Sequence, residues 1–211
     1  MTAISDRPTA PVTAPQNGVL DVIRARRSIG RVRPECPPRA LIEQLLEAAT
    51  WAPNHRLTEP WRFVVLAGDA RHELGEVMAR SLDATLPPDA RDRQAQLDKA
   101  RAKPLRAPVV VAVGVVPQTG PKVIEVEEVL TGGAAVQNLL LAAHDLGLAA
   151  MWRTGEPAYD PAVKAFLGLP ANAHLIGFVY LGYPDAPPSR KQRRPAAECT
   201  RWLGWDGGAS E

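Results

Sequence analysis

The run Ala-Pro-Val-Val-Val-Ala-Val-Gly-Val-Val at 107–116 narrows the possible folds more than any other part of the chain. Valine is stiff about χ1 and suits a pleated strand better than a helix. No polar residue interrupts the run on either parity, so both faces of the strand need apolar cover. The sheet that contains it must be covered above and below, and the rest of the sequence has to supply the covering elements.

A long helical stretch follows at 122–146, with Gly147 placed as its C-cap. A second helix is predicted at 38–51, where Pro37-Pro38 suits the first turn and Leu41, Ile42, Leu45, Leu46 and Ala49 make the buried stripe. Shorter helices are predicted at 19–27, at 69–82 (begun by Asp69) and at 160–167. Strands are predicted at 61–67, 148–153 and 174–184, the last closed by Gly-Tyr-Pro. Residues 83–104 are polar and proline-bearing and read as an excursion over the surface. Strands alternate with helices, but unevenly, which gives an α+β or α/β layer structure with helices packed on a central sheet. There is no internal repeat. Residues 19–196 are expected to form one domain, after a Pro-, Thr- and Ala-rich leader at 1–18 expected to be disordered, with 197–211 as a C-terminal tail.

Composition removes several classes of function. A chain of 211 residues with 45% hydrophobic and 23% charged residues is ordinary for a globular domain. A net charge of +2 is too mild to argue for nucleic acid. Cys36 and Cys199 lie far apart and show neither disulfide-framework nor metal-pair spacing, which fits a reducing compartment. No apolar run reaches the roughly 18 residues of a membrane span, and the first residues lack a secretory pattern. A cytoplasmic protein is the resulting expectation.

The familiar catalytic signatures are missing. G-x-G-x-x-G after a strand, a Walker A loop, G-x-S-x-G, H-E-x-x-H and C-x-x-C are all absent. His55, His72, His144 and His174 are not spaced as a metal cluster, and no carboxylate pair stands out. A chain of this kind, if it is an enzyme, points to a bound organic cofactor for which the protein supplies binding and orientation.

Three separated places carry basic residues. In Arg24-Ala25-Arg26-Arg27-Ser28, guanidinium forks and a hydroxyl suit a phosphate, although arginines at a helix end also complement its dipole. In Trp51-Ala52-Pro53-Asn54-His55-Arg56, a proline-bounded turn between helix and strand presents Asn54 and His55, with Trp61 filling core; a solvated loop is the alternative. The basic run 190–194 is either a solvated tail or an anion clamp. A fourth element, Trp152-Arg153-Thr154-Gly155, ends a strand with an aromatic ring and open backbone N–H groups, where a flat heteroaromatic could lie; a Trp covering the core is the equal alternative.

Taken in order, these pieces resemble the nitroreductase family of flavin enzymes. The resemblance starts at Arg-Ala-Arg-Arg-Ser and runs through Leu-Ile-Glu-Gln-Leu-Leu-Glu-Ala-Ala and Ala-Pro-Asn-His to Pro-Trp. It continues through 133–155, 166–184 and 190–195, about 20 to 196 in all. The Ala-Pro-x-His turn and the Trp-Arg-Thr-Gly segment are similar to its small YdjA-like branch. The resemblance implies an α+β fold with a central mixed or antiparallel sheet flanked by helices. It also implies a homodimer with FMN at the subunit interface, reduced by NADH or NADPH. Carried over residue by residue, it places Arg26, Arg27 and Ser28, with Lys191 and Arg193, on the FMN phosphate. It puts Pro53, Asn54 and His55, with Trp51, beside the flavin, and Trp152, Arg153, Thr154 and Gly155 beneath its reactive edge. The long helix carries Thr-Gly-Gly-Ala-Ala at 131–135, small residues that suit either a partner helix or tight packing on the sheet.

Three positions depart from the family pattern. A lysine that touches the flavin N1–O2 edge is Gly30 here, and an Asn and a Gln of the turn are Leu57 and Glu59. The resemblance leaves His55 or Arg33 to replace the lost contact, with His55 favoured. The activity it implies is transfer of electrons from NAD(P)H through FMN to a nitroaromatic, quinone or similar acceptor. The alternatives are other flavin chemistry on the same scaffold (dehalogenation, desaturation, flavin fragmentation) and flavin binding without turnover.

Overall fold

The computed structural model describes residues 18–187 and 192–204. Six helices, α1 Val19–Ala25, α2 Arg39–Thr50, α3 Asp69–Thr85, α4 Arg93–Ala102, α5 Glu125–Asp145 and α6 Pro161–Phe166, accompany four strands, β1 Trp61–Ala67, β2 Val109–Val115, β3 Ala149–Arg153 and β4 His174–Gly182. The strands form one sheet in the order β1-β2-β4-β3, antiparallel throughout, so of the expected mixed or antiparallel arrangements the second holds.

β2 is central, and every one of its residues is buried. Its two parities serve different layers. Val109, Val111 and Val113 meet Ile42, Leu45 and Ala49 of α2 and Val136, Leu139 and Leu140 of α5. Val110 and Ala112 meet Leu74 and Met78 of α3 and Val163 of α6. The result is a helix–sheet–helix sandwich of α+β type, and it accounts for the uninterrupted valines: an antiparallel sheet covered on both faces leaves no position for a polar side chain.

α5 is the longest covering element. Gly132 lets it lie close, since a Cβ there would come 2.5 Å from Val115 Cγ2 and 2.8 Å from Ile176 Cγ1. Gly133, one step round the helix, has nothing within 4 Å. The small-residue stretch therefore packs on the sheet through one glycine and leaves the other open. α5 ends in a Schellman motif: Gly147 at φ +75° donates to His144 O at 3.1 Å, and Leu148 N–H donates to Ala143 O at 2.7 Å.

Two expectations need correction. Residues 83–104 are largely helical rather than a surface excursion: α3 runs on to Thr85, and α4 packs on α3 through Leu97 and Ala100. α3 admits α4 because Gly75 faces the Arg101 carbonyl, where a Cβ would sit 2.3 Å from the oxygen. The first helix stops at Ala25 rather than 27, because Arg26 turns to extended backbone (φ −54°, ψ 132°). The expected leader falls outside the described residues except for Gly18, and so does part of the expected tail. No described helix is long and apolar enough to cross a membrane.

Candidate functional site

The extended segment after α1 runs along the free side of β3. Ser28 bridges Ala150, and Ile29 N–H donates to Ala150 O at 3.1 Å. Further on Val32 bridges Pro184, Arg33 N–H donates to Tyr183 O at 2.9 Å, and Asp185 N–H donates to Arg31 O at 3.2 Å. Alternate residues of an extended segment face opposite ways. Arg27 and Ile29 line a cavity of about 550 Å³ with His144, Leu148 and Asp185, and Arg27 Nη1 donates to the Arg26 carbonyl at 2.8 Å. Gly30 faces Met151 and Arg153 on the other side; a Cβ there would lie 2.9 Å from Met151 Sδ and 3.4 Å from Arg153 Nη2. Ser28 shares the parity of Gly30.

The electrostatics of this edge are one-sided. Arg26 is half-buried, and burial together with the nearby guanidinium groups of Arg193 and Arg27 pushes its pKa below the ordinary arginine value. Among the described residues no carboxylate pairs with Arg26 or Arg193. The chain thus gathers cations from two distant stretches of sequence, and no described residue neutralises them. Lys191, expected to join them, lies outside the described residues.

The turn after α2 is built differently. Arg56, Leu57 and Glu59 all adopt left-handed backbone, at φ +61°, +52° and +47°. Each such non-glycine residue costs about 1–2 kcal/mol. The cost is offset by hydrogen bonds. Asn54 Oδ1 accepts from Glu59 N–H at 2.7 Å, and Asn54 Nδ2 donates to Thr58 Oγ1 at 3.0 Å. Thr58 Oγ1 donates to Glu128 Oε1 at 2.6 Å. Thr131 Oγ1 reaches the Pro53 carbonyl at 3.4 Å, and His55 Nδ1 lies 3.0 Å from Glu127 Oε2. The loop that holds Pro53, Asn54 and His55 is therefore hung on the first two turns of α5. The cavity lined by Arg27 sits against the far end of that helix, at His144 and Gly147. Thirteen residues of helix separate Thr131 from His144, about 20 Å at 1.5 Å per residue. Trp51 stands 79% exposed, its indole N–H 3.3 Å from Glu47 Oε1.

At the end of β3, Trp152 Nε1 donates to Ile176 O at 3.1 Å, and the indole covers Gly177 so closely that a Cβ there would lie 2.5 Å from Nε1. Gly177 has φ +143° at the place where the β2–β4 register shifts. Arg153 extends past Gly30 and over the Tyr180 ring, 5.5 Å from its centroid. Thr154 and Gly155 are exposed, and Gly155 takes φ +104°.

The fold thus joins Arg26, Ser28, Arg153 and Arg193 along the β3 edge and sets the Pro53–His55 loop apart from the Arg27 end of α5. Of the two candidates to replace a cation at Gly30, His55 is paired with Glu127, and Arg33 lies over the Tyr183 ring at 5.0 Å. Arg153 is the cation the structure places beside Gly30. Sequence reasoning missed Glu128. Its signal was available: Glu128 falls on the same stripe of α5 as Thr131, Gly132, Ala135 and Leu139, where a carboxylate is out of place.

The geometry is thus a four-stranded antiparallel sheet with a cationic edge and a turn hung on α5. The chain belongs to the nitroreductase family, whose family description matches residues 23–183. It is 33% identical over 182 residues to YfhC of Bacillus subtilis, covering 85% of this chain and 92% of that protein, and YfhC is provisionally named an NAD(P)H nitroreductase. YdjA of Escherichia coli K12, named in the same provisional way, is 30% identical over 170 residues, covering 81% and 90%. Among solved structures, a nitroreductase-like family protein from Bacillus cereus superposes with a TM-score of 0.77 at 26% identity, covering 92% of this chain and all of that one.

Proposed function

We propose that this protein is an FMN-dependent NAD(P)H oxidoreductase that works as a homodimer and passes electrons to a nitroaromatic, quinone or similar acceptor. The observation that carries the reading is the unneutralised cation cluster. Among the described residues Arg26, with its lowered pKa, and Arg193 have no acidic partner, and the exposed Ser28 lies two residues from Arg26. That donor set fits a phosphate dianion better than a carboxylate, because it holds two or more positive charges and a neutral donor.

Bound there, FMN would supply the hydride and electron chemistry that no side chain of this chain supplies. Arg26, Ser28 and Arg193 would hold the phosphate. Arg153, seated against Gly30, would place a positive charge at the ring edge that the family pattern gives to a lysine. Trp152 is fixed by its bond to Ile176 O, and the exposed Thr154 and Gly155 that follow would offer backbone N–H groups to the ring. The left-handed turn would bring Asn54 and His55 as a wall.

Two observations support a dimer. α5 exposes Val126 and Leu130 along with the open Gly133, Ile124 is exposed just before it, and Leu57 and Trp51 are exposed nearby; this is an apolar surface in search of cover. The loop and the Arg27 end lie at opposite ends of α5. A two-fold axis crossing α5 sets the two helices antiparallel and carries the loop of one copy toward the cationic edge of the other.

The absorption spectrum of the purified protein tests the reading. A yellow protein that bleaches under anaerobic NADH or NADPH is expected. A colourless protein that stays colourless after incubation with FMN would overturn it.

A further inference from the structure

The geometry points to Glu128 as a positioning residue: it fixes the strained 54–59 loop through the hydroxyl of Thr58. The functional weight of this inference rests on the reading of that loop as a wall of the flavin site; the clamp itself does not.

Glu128 is 2% exposed, and among the described residues it has no Lys, Arg or His partner. A carboxylate so placed is costly unless its oxygens are satisfied. Two neutral donors satisfy them, Thr58 Oγ1 at 2.6 Å and the Gln118 N–H at 3.3 Å. The N-terminal turn of a 21-residue helix makes the position tolerable for negative charge. It does not account for a carboxylate on a stripe that otherwise buries small and apolar residues. The account lies in the loop.

Thr58 stands between Leu57 and Glu59, both left-handed. Its hydroxyl accepts from Asn54 Nδ2 and donates to Glu128, while Asn54 Oδ1 takes the Glu59 N–H. The relay Glu128–Thr58–Asn54–Glu59 therefore encloses the three left-handed residues and is anchored at one buried point. Of the other ties, those from His55 and Arg56, to Glu127 and to the Lys122 carbonyl, are exposed and hold little, and the Thr131 hydroxyl reaches only the Pro53 carbonyl, ahead of the left-handed residues, at 3.4 Å. Without the anchor, Arg56, Leu57 and Glu59 regain the right-handed region that L-residues prefer, and Asn54 and His55 lose their direction.

The experiment compares Thr58→Val, isosteric but without a donor, with Thr58→Ser, which keeps the hydroxyl. Glu128→Gln, which keeps one oxygen for Thr58, is the second variant. Amide hydrogen exchange is read in the flavin-free protein, and steady-state kinetics with a quinone acceptor in the FMN-loaded one. In Thr58→Val, exchange at 55–59 is expected to rise at least about tenfold, since both hydrogen bonds of the Thr58 hydroxyl are lost, while β2 amides exchange as before. KM for the acceptor is expected to rise more than kcat falls. Thr58→Ser restores both, and Glu128→Gln falls between. Wild-type exchange in the loop of Thr58→Val, an increase shared by β2, or failure of Thr58→Ser to restore would each overturn the assignment. Because exchange is measured without flavin, a loop that loosens as described in a protein that takes up no FMN supports the clamp and sinks the flavin reading instead.

Discussion

At the level of single residues, the cationic edge makes the sharpest commitments. Each charge-assisted hydrogen bond to a phosphate contributes about 1.5–3 kcal/mol. Arg26→Ala is expected to weaken FMN binding by about 10- to 100-fold, with little effect on the thermal midpoint of the flavin-free protein; quenching of FMN fluorescence on titration measures the first and a melt the second. Tyr180 gives a commitment on pH. Burial raises its phenol pKa above the usual 10.0, against the opposing charges of Arg153 and Arg106. The unfolded chain therefore releases this proton at lower pH than the folded one, and stability that is fully present below about pH 10 falls as pH rises toward the folded value. Tyr180→Phe should lose less stability than the parent between neutral pH and the alkaline range, as read from urea midpoints at each pH.

Secondary elements show what the sequence could and could not reveal. α5 has two adjacent glycines with opposite surroundings. Gly132→Ala drives a methyl group into Val115 and Ile176 and is expected to destabilise by about 1–3 kcal/mol. Leu139→Ala, at a site of zero exposure between α5 and the sheet, should cost about 2–5 kcal/mol through the cavity it leaves. Urea unfolding with unchanged slope measures both. β2 was legible because its pattern is apolar on both parities, which only two-sided cover explains. α5 and α2 were legible because their stripes and stop signals are strong. α4 was not: only Leu97 and Ala100 are buried along its ten residues, too thin a stripe to separate helix from loop. The end of α1 was read two residues late because nothing in Arg26-Arg27 announces extended backbone. Of the candidate site, the residue types at the β3 edge were readable in order. The opposite facing of Arg27 and Ser28 arises from tertiary packing and leaves no local mark; Glu128 does stand out on its buried stripe, but nothing local ties it to a turn seventy residues earlier.

For the molecule as a whole, the exposed face of α5 is where two copies are expected to meet. Leu130 is 66% exposed in the middle of that face. Leu130→Arg should shift the protein from dimer to monomer in sedimentation velocity and reduce the flavin that copurifies, while its circular dichroism stays unchanged. The bridges that tie Ser28 to Ala150 and Val32 to Pro184 have a temporal consequence as well. They join an early stretch to strands made much later, and such distant closures form slowly. A chain still emerging from the ribosome holds Arg26 and Ser28 without the shelf on which they rest, and without Arg193 to complete them. The vitamin-derived group should therefore be acquired only after release, by a finished polypeptide, and a nascent fragment should be no trap for it.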